Sequence, residues 1–591
     1  MEKKTKIEEA DGQNVSVDNT EKRKHLIYTV SERPPVHITI VCALQQGLMV
    51  LASQLIVSLL VAEAVCASEN NLLKARLLSS TLVMNGITTI AMNVIGVRLP
   101  LFQGAMADYV IPLLIIASID GSFCSPLYTN EASTTAVANM TFAVNGTIGD
   151  GDHMARVMNN IQMLSGSLIL AGFIHAMLGF TGLIGFLIRY IGPITIVPTI
   201  LLLFVFIVKP VLKYVEASWP ITMSTVGVAV FLFLYLSKWQ MPIPVWTPSQ
   251  GCRIIRYPLH QVFAILISIL FNWGLCALLT HLGAFSSDPN EPSFNARTDA
   301  RSEIIAENPW FMFPYPGQFG EFKFNSGAFL SCMIATLVSV LDSIGDYYAC
   351  AKAARVPPPP RHAMNRGILV EGFCSMVSGA VGCGHATGTY GGNIGAISAT
   401  RVASRSVFLC TGILYILFGV FGKFSAIFIT IPYPVLGGAI FVMLGVCLGV
   451  VVSNLEVVDM SSSRNIAIFG LAVFIGLCVP TWAQRVKNPV DTGNQTFDRI
   501  MAMLLGNPHL AGTIAACFLD NTVPGTPEER GISAWQVSED DETAEVDPEK
   551  FDEGYTLYEP LLPQRWLRSP WMKYIPFLPY KRPTSGAHKS V

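Results

Sequence analysis

Residues Leu341–Gly367, LDSIGDYYACAKAARVPPPPRHAMNRG, decide how the chain is read. They follow an uncharged apolar run, Asn325–Leu341. Asp342 and Asp346 then fall where that run should still lie deep in a bilayer, and on a helix their four-residue spacing puts them on one face. Each acid at that depth costs roughly 2.5–3.5 kcal/mol on insertion, so a functional role is the default expectation. The helix must then give way to a basic strap (Lys352, Arg355, Arg361, Arg366), because no helix interior accepts the run Pro357–Pro360. A structural alternative for Asp346 is pairing with that strap near Lys352.

Composition points the same way. The 591 residues are 51% hydrophobic and 14% charged, with a mean hydropathy of +0.47, unlike a soluble enzyme. A net charge of -2 leaves no nucleic-acid footprint. The thirteen cysteines are scattered without CxxC pairs or histidines at metal spacing, so no metal centre or cofactor is expected. Neither a GxSxG elbow nor a phosphate loop is present, and no enzyme reading survives. His175 and His385 read as packing residues, with His385 beside a chain break and so open to a second role.

Working outward, the apolar runs are Ile38–Ala62, Leu77–Val97, Leu101–Ile119, Val157–Ile188, Ile191–Val208, Ala217–Ser237 and Pro258–Leu282 before the opening helix. After it come Gly367–Val381, the Gly-rich passage GCGHATGTYGGNIGAISATR, Ser406–Ile429, Pro434–Ser453, Asn465–Pro480 and Leu505–Leu519. The expectation is an all-α polytopic membrane protein of about fourteen spans. Its parts are a cytosolic tail (1–37), a first membrane half (38–285), an extracellular loop (286–324), a second membrane half (325–521) and a cytosolic tail (522–591). Most basic residues flank the spans on one side, but Lys74, Arg76, Lys209 and Lys213 dissent. The sequons at Asn139 and Asn145 fall outside the cell in this orientation and are candidate glycosylation sites. Cys66 and Cys124 fall in loops on the same side and are candidates for a disulfide. In the C-terminal tail, Tyr558-Glu-Pro-Leu561 has the look of a sorting signal, with an ordinary tail the plainer reading.

Gly and Pro interrupt the two halves at matching places. Span three breaks around Gln103–Pro112 and span ten around His385–Asn393. Span five opens on Gly192-Pro193 and span twelve on Pro432, Pro434 and Gly437-Gly438. Seven spans per half make the halves enter from opposite sides, an inverted repeat whose broken helices point to a midplane site. The alternative is that Gly and Pro are simply frequent in membrane helices. Freed backbone N–H groups at such breaks suit a polar planar solute or an anion. Asp342 and Asp346 nearby would repel an anion unless a cation, Na⁺ or H⁺, enters with it. Asn393, after two glycines, offers an amide to a solute, or merely tolerates a tight turn.

These residues resemble the nucleobase–ascorbate transporter family, most closely its animal sodium-dependent vitamin C branch. The resemblance is carried by GVRLPLFQ (Gly96–Gln103), SIGDYYACA with its prolines and HAxNRG, Glu371-Gly372, NIGxxxxTR (Asn393–Arg401), SNLxxVDMxSSRN (Ser453–Asn465) and LDNTVPGTPEERG (Leu519–Gly531). It implies a seven-plus-seven fold with half-helices in spans three and ten. A core of spans one to four and eight to eleven would move against a gate of the remaining spans, typically in a homodimer in the plasma membrane. It also implies Na⁺-coupled uptake of a small polar solute, ascorbate or a nucleobase, with acids of span eight and residues opening span ten around it. Carried over residue by residue, the site comprises Gln46, Ala107, Asp108, Asp342, Gly392 and Asn393, with Asp346 and Asp342 at the cation.

The chain departs from the family at that site. Gln45-Gln46 stands where Gln-His is usual, Asp342 where Glu is usual, and Gly392 where Gln, Glu or Pro is usual. Asp108 adds a carboxylate to span three. These departures open a second reading, a non-transporting member serving as a sensor or partner subunit.

Overall fold

The computed structural model describes residues 26–67, 70–110, 150–184, 190, 192–239, 241–247, 251–257, 259–486, 489–493, 495–532, 551–561, 563 and 574–579. Asn139, Asn145 and Cys124 lie outside them, as does span three beyond Val110. Cys66 is disulfide-bonded.

The first half contributes α1 (Val36–Ala64), α2 (Asn71–Val94), β1 (Gln103–Ala105), α3 (Asp150–Thr181), α4 (Pro193–Glu216), α5 (Trp219–Val230), β2 (Met241–Thr247), β3 (Gly251–Tyr257) and α6 (Ala264–His281). The second contributes α7 (Ser326–Ala353), α8 (Arg361–Val381), β4 (Thr387–Thr389), α9 (Gly392–Thr400), α10 (Arg405–Val420) and α11 (Gly422–Ile429). It ends with α12 (Tyr433–Ser453), α13 (Ser463–Arg485), α14 (Gln495–Leu505) and α15 (Pro508–Thr522). Among the described residues, seven of these helices are long and apolar enough to cross a membrane. The chain is a mostly helical, multi-pass membrane protein.

Local chemistry sets the boundaries. The Asn325 side chain accepts from Ala328 N at 2.9 Å and so starts α7, and Asn507 does the same for Leu510 N at 3.0 Å at the head of α15. The prolines 357–360 keep α7 and α8 apart, and Gly382 ends α8 at φ 81°, a conformation that favours glycine. Pro508 sits at a helix start, where its missing N–H is harmless, so the expected span Leu505–Leu519 begins where α14 ends and runs as α15 from Pro508. The run Ser406–Ile429 is likewise divided at Phe421, whose extended backbone (φ -78°, ψ 91°) separates α10 from α11.

The all-α expectation needs correcting between spans six and seven. There β2 and β3 form an antiparallel hairpin with Met241 opposite Tyr257 and Thr247 opposite Gly251. Isoleucine and valine favour extended backbone, and Pro242 and Pro244 exclude a helix.

Two sets of helices pack tightly. In the first, α2 lies along α10 and α3 along α8, with α1 against α2 and α10 and α7 against α3. Small residues allow this closeness: a Cβ on Gly86 would stand 2.4 Å from Gly412 O, and one on Gly372 would stand 2.1 Å from Ala176 N. In the second, α4 packs on α12, α13 and α15, and α5 on α12 and α6. The sets meet where α7 touches α4 and α12 touches α1 and α9.

Candidate substrate and ion site

The Gly-rich breaks expected around Gln103–Pro112 and His385–Asn393 meet each other through β1 and β4. β1 and β4 pair antiparallel, Gln103 opposite Thr389, Gly104 opposite Gly388 and Ala105 opposite Thr387. Such short strands at membrane depth are stable only if every backbone group finds a protein partner, and buried side chains supply several. Gln54 Oε1 accepts from Ala105 N at 2.6 Å and from Asn85 Nδ2 at 2.7 Å. Thr89 Oγ1 accepts from Gln103 N at 3.0 Å, and Asn93 Nδ2 donates to Leu101 O at 2.7 Å. On the β4 side, His385 Nε2 lies 2.8 Å from Thr81 Oγ1, and Ser378 Oγ donates to the His385 carbonyl at 2.7 Å. His385 is therefore an anchor of the break.

Glu371 of α8 joins the two strands. Its Oε1 accepts from Thr389 Oγ1 at 2.8 Å, Tyr347 OH at 2.8 Å and Gln103 Nε2 at 3.2 Å. Thr389 and Gln103 are the outermost registered pair, so one fully buried carboxylate sets strand register and orients α7 through Tyr347. The sequence reading gave Glu371 no role beyond a family string; a glutamate within an apolar run was the available signal.

In front of this junction lies a cavity of about 150 Å³. Ser53, Ile56, Val57 and Leu60 of α1 share one helical face on its wall. Ile196, Ile200 and Val211 of α4 and Ile440, Met443 and Leu444 of α12 face them from the second helix set. Asp108, Asp342 and Asp346 all line it, together with Thr389, Tyr390 and Gly391, and no Lys, Arg or His is among the described lining residues. Asp342 and Asp346 have neither a hydrogen-bond donor nor an ion-pair partner among the described residues, and Asp108 is 3% exposed with Oδ1 unbonded. Lys352 does not pair with Asp346: its ammonium meets Glu456 at 3.1 Å in the open. The structure thus brings the three expected aspartates together.

The other expected residues stand apart from this wall. Asn393 Nδ2 donates to Gln46 Oε1 at 2.6 Å and to Gln46 O at 3.3 Å, so the two amides are partners of each other, outside the cavity lining. Gly392 opens α9, and a Cβ there would stand 2.7 Å from Tyr390 Cε1. Its neighbour Gly391 is the one on the wall, where a Cβ would stand 2.9 Å from Asp346 Oδ1. Ala107 belongs to the one-turn helix Ala107–Tyr109, which presents Asp108 to the cavity. Ser53, Thr389 and Gly391 join the aspartates on the wall, Thr389 and Gly391 at the β1–β4 junction and Ser53 on the α1 face that packs against it.

Comparison with known proteins fits this geometry. Residues 37–485 match the family model described as "Permease family". Solute carrier family 23 member 2 of Mus musculus is 35% identical over 514 residues, covering 87% of this chain and 77% of that one. Solute carrier family 23 member 1 of Mus musculus is 32% identical over 566 residues, covering 95% and 90%. Nucleobase-ascorbate transporter 1 of Arabidopsis thaliana is 28% identical over 526 residues, covering 87% and 93%. Among solved structures, the transmembrane domain of a cyanobacterium bicarbonate transporter BicA aligns with 76% of this chain and 98% of that chain at 14% identity and a TM-score of 0.42, too distant to bear on mechanism. The chain belongs to the permease family of solute carrier family 23 and the nucleobase-ascorbate transporters, a family of membrane transporters and not of enzymes.

Proposed function

We propose that the chain is a sodium-coupled symporter that moves a small polar organic solute, ascorbate or a nucleobase, across the plasma membrane by alternating access. One observation carries the reading: three carboxylates face one small cavity whose other described lining residues are mostly apolar and include no basic residue. Like charges in a low-dielectric space repel strongly, so a cation or a proton must accompany any solute that enters. Asp346 and Asp342 are the acids that would hold it, with Asp108 opposite. At about 150 Å³ the cavity is well below the roughly 300–1,000 Å³ of drug-sized pockets, which favours a single-ring solute.

Packing supports a fourteen-span inverted repeat. Matching each span with the one seven places later pairs α1 with α7, α2 with α8, α3 with α10, α4 with α12, α5 with α13 and α6 with α15. Under that exchange α2-on-α10 becomes α8-on-α3, and α1-on-α10 becomes α7-on-α3. Likewise α4-on-α15 becomes α12-on-α6, and α5-on-α12 becomes α13-on-α4. The antiparallel β1–β4 pair maps onto itself about Gly104 and Gly388, as a two-fold axis in the membrane plane requires. The first helix set is then the core and the second the gate, with both termini cytosolic and, as the family resemblance implies, a homodimer as the working unit.

Uptake of labelled ascorbate, uracil and xanthine into cells expressing the chain, in sodium and in choline, tests the proposal. Sodium-dependent entry of one compound is expected; equal entry in choline would remove sodium as the coupling ion. The second reading, a scaffold that no longer transports, is favoured by the closed Gln46–Asn393 pair, which occupies the amide a solute would use. It predicts no uptake until Gln46→His and Gly392→Pro are combined.

A further inference from the structure

We infer that the ion pair between Glu63 and Lys213 is the outer gate of the cavity, closing its extracellular mouth by tying α1 of the core to α4 of the gate. The inference rests on the carrier reading and the orientation proposed above. Helix geometry places the pair. Leu60 is on the cavity wall and Glu63 follows three residues later on α1, one turn and about 4.5 Å further out. Val211 is on the opposite wall, and Lys213 follows two residues later on α4, about 3 Å further out. Both helices therefore carry a charge one step beyond the apolar wall, at the same end, and the Lys213 ammonium bonds Glu63 Oε1 directly. The Glu63 side chain is 10% exposed and that of Lys213 33%, so removing the lysine would leave a poorly hydrated carboxylate.

The surroundings complete a lid. Tyr214, next to Lys213, meets the Tyr433 ring edge-on at 4.9 Å, joining α4 to the head of α12. Arg301, from the loop before α7, lies 3.9 Å over the Tyr433 ring and donates to Ile431 O at 3.3 Å. The charges of Arg301, Lys74, Lys213 and Glu63 all act on Tyr433. Glu63 is the one carboxylate among these four groups. Lys74 and Lys213 are two of the basic residues that break the positive-inside pattern, and the gate gives them a reason to be on the outer side. Because α1 and α4 belong to different helix sets, the pair must part whenever the cavity opens outward, and it can stay closed when the cavity opens inward.

The test reads access to the cavity and needs no knowledge of the solute. Ile440→Cys on the cavity wall is exposed, in intact cells, to the membrane-impermeant thiol reagent sulfonatoethyl methanethiosulfonate, with the chain retaining Ile440 as background. Labelling should quicken about tenfold in Glu63→Gln and in Lys213→Met, as a shifted open population requires. It should slow again in the charge exchange Glu63→Lys with Lys213→Glu, each variant normalised to its surface abundance. Equal labelling in all four backgrounds overturns the gate. Uptake of labelled ascorbate, uracil and xanthine in the same cells separates the two levels: labelling that responds without any uptake keeps the gate and removes the carrier reading.

Discussion

Glu371 and Asp346 are acids on successive helices, the first fully buried and the second half-buried, and their surroundings are opposite. Glu371 accepts three hydrogen bonds, from Tyr347, Thr389 and Gln103, and holds the strand junction together. Asp346 reaches the cavity with no donor or cation beside it among the described residues. A buried carboxylate that accepts several hydrogen bonds rigidifies its neighbours, whereas one that accepts none persists in membrane proteins where something mobile comes to it. The difference separates the acid that holds the wall together from the acid proposed to meet a cation.

The comparison breaks first at Asp346. Asp346→Asn keeps shape and size but removes the charge, and sodium-dependent uptake should fall by two orders of magnitude or more while surface abundance stays normal. Uptake equal to the parent would remove Asp346 from the ion site. Glu371→Ala should act on folding: three buried donors lose their acceptor, at about 1–3 kcal/mol each. The expected result is a several-fold loss of protein at the cell surface, with Glu371→Gln retaining most of it. A Glu371→Ala chain that reaches the surface normally would show that the junction does not depend on this residue.

Gly372 sharpens the contrast next door. Gly372→Val puts side-chain atoms where α3 backbone already stands 2.1 Å from a Cβ, so the α3–α8 contact must open. A drop in melting temperature of the purified protein is expected, and an unchanged value would mean the helices can separate freely. The smallest effect belongs to Lys352→Ala. Its ion pair with Glu456 is 74% and 72% exposed, and such pairs contribute about 0–1 kcal/mol. Uptake and stability should match the parent, and a large loss would revive the strap as part of the ion site.

What the sequence disclosed and what it withheld have separate physical causes. Asp342 and Asp346 were visible because charge in an apolar run is rare and a four-residue spacing fixes a shared face. The breaks at spans three and ten were visible because Gly and Pro interrupt helices wherever they fall. The role of Glu371 was not, since its partners lie 24, 18 and 268 residues away and only the fold brings them together. The Gln46–Asn393 pair spans 347 residues and was hidden for the same reason. The β2–β3 hairpin lies between the runs Ala217–Ser237 and Pro258–Leu282, where strands of seven residues carry no helical or membrane signal.

If the acids of the cavity hold sodium, its binding can be measured without any solute. Melting of the purified chain in sodium and in choline, for the parent and for Asp346→Asn, is the direct measurement. A ligand at 100 times its Kd stabilises by about 2.7 kcal/mol, which shifts melting by several degrees. That shift is expected in the parent and should disappear in Asp346→Asn. An equal sodium shift in both proteins, or none in the parent, would contradict it.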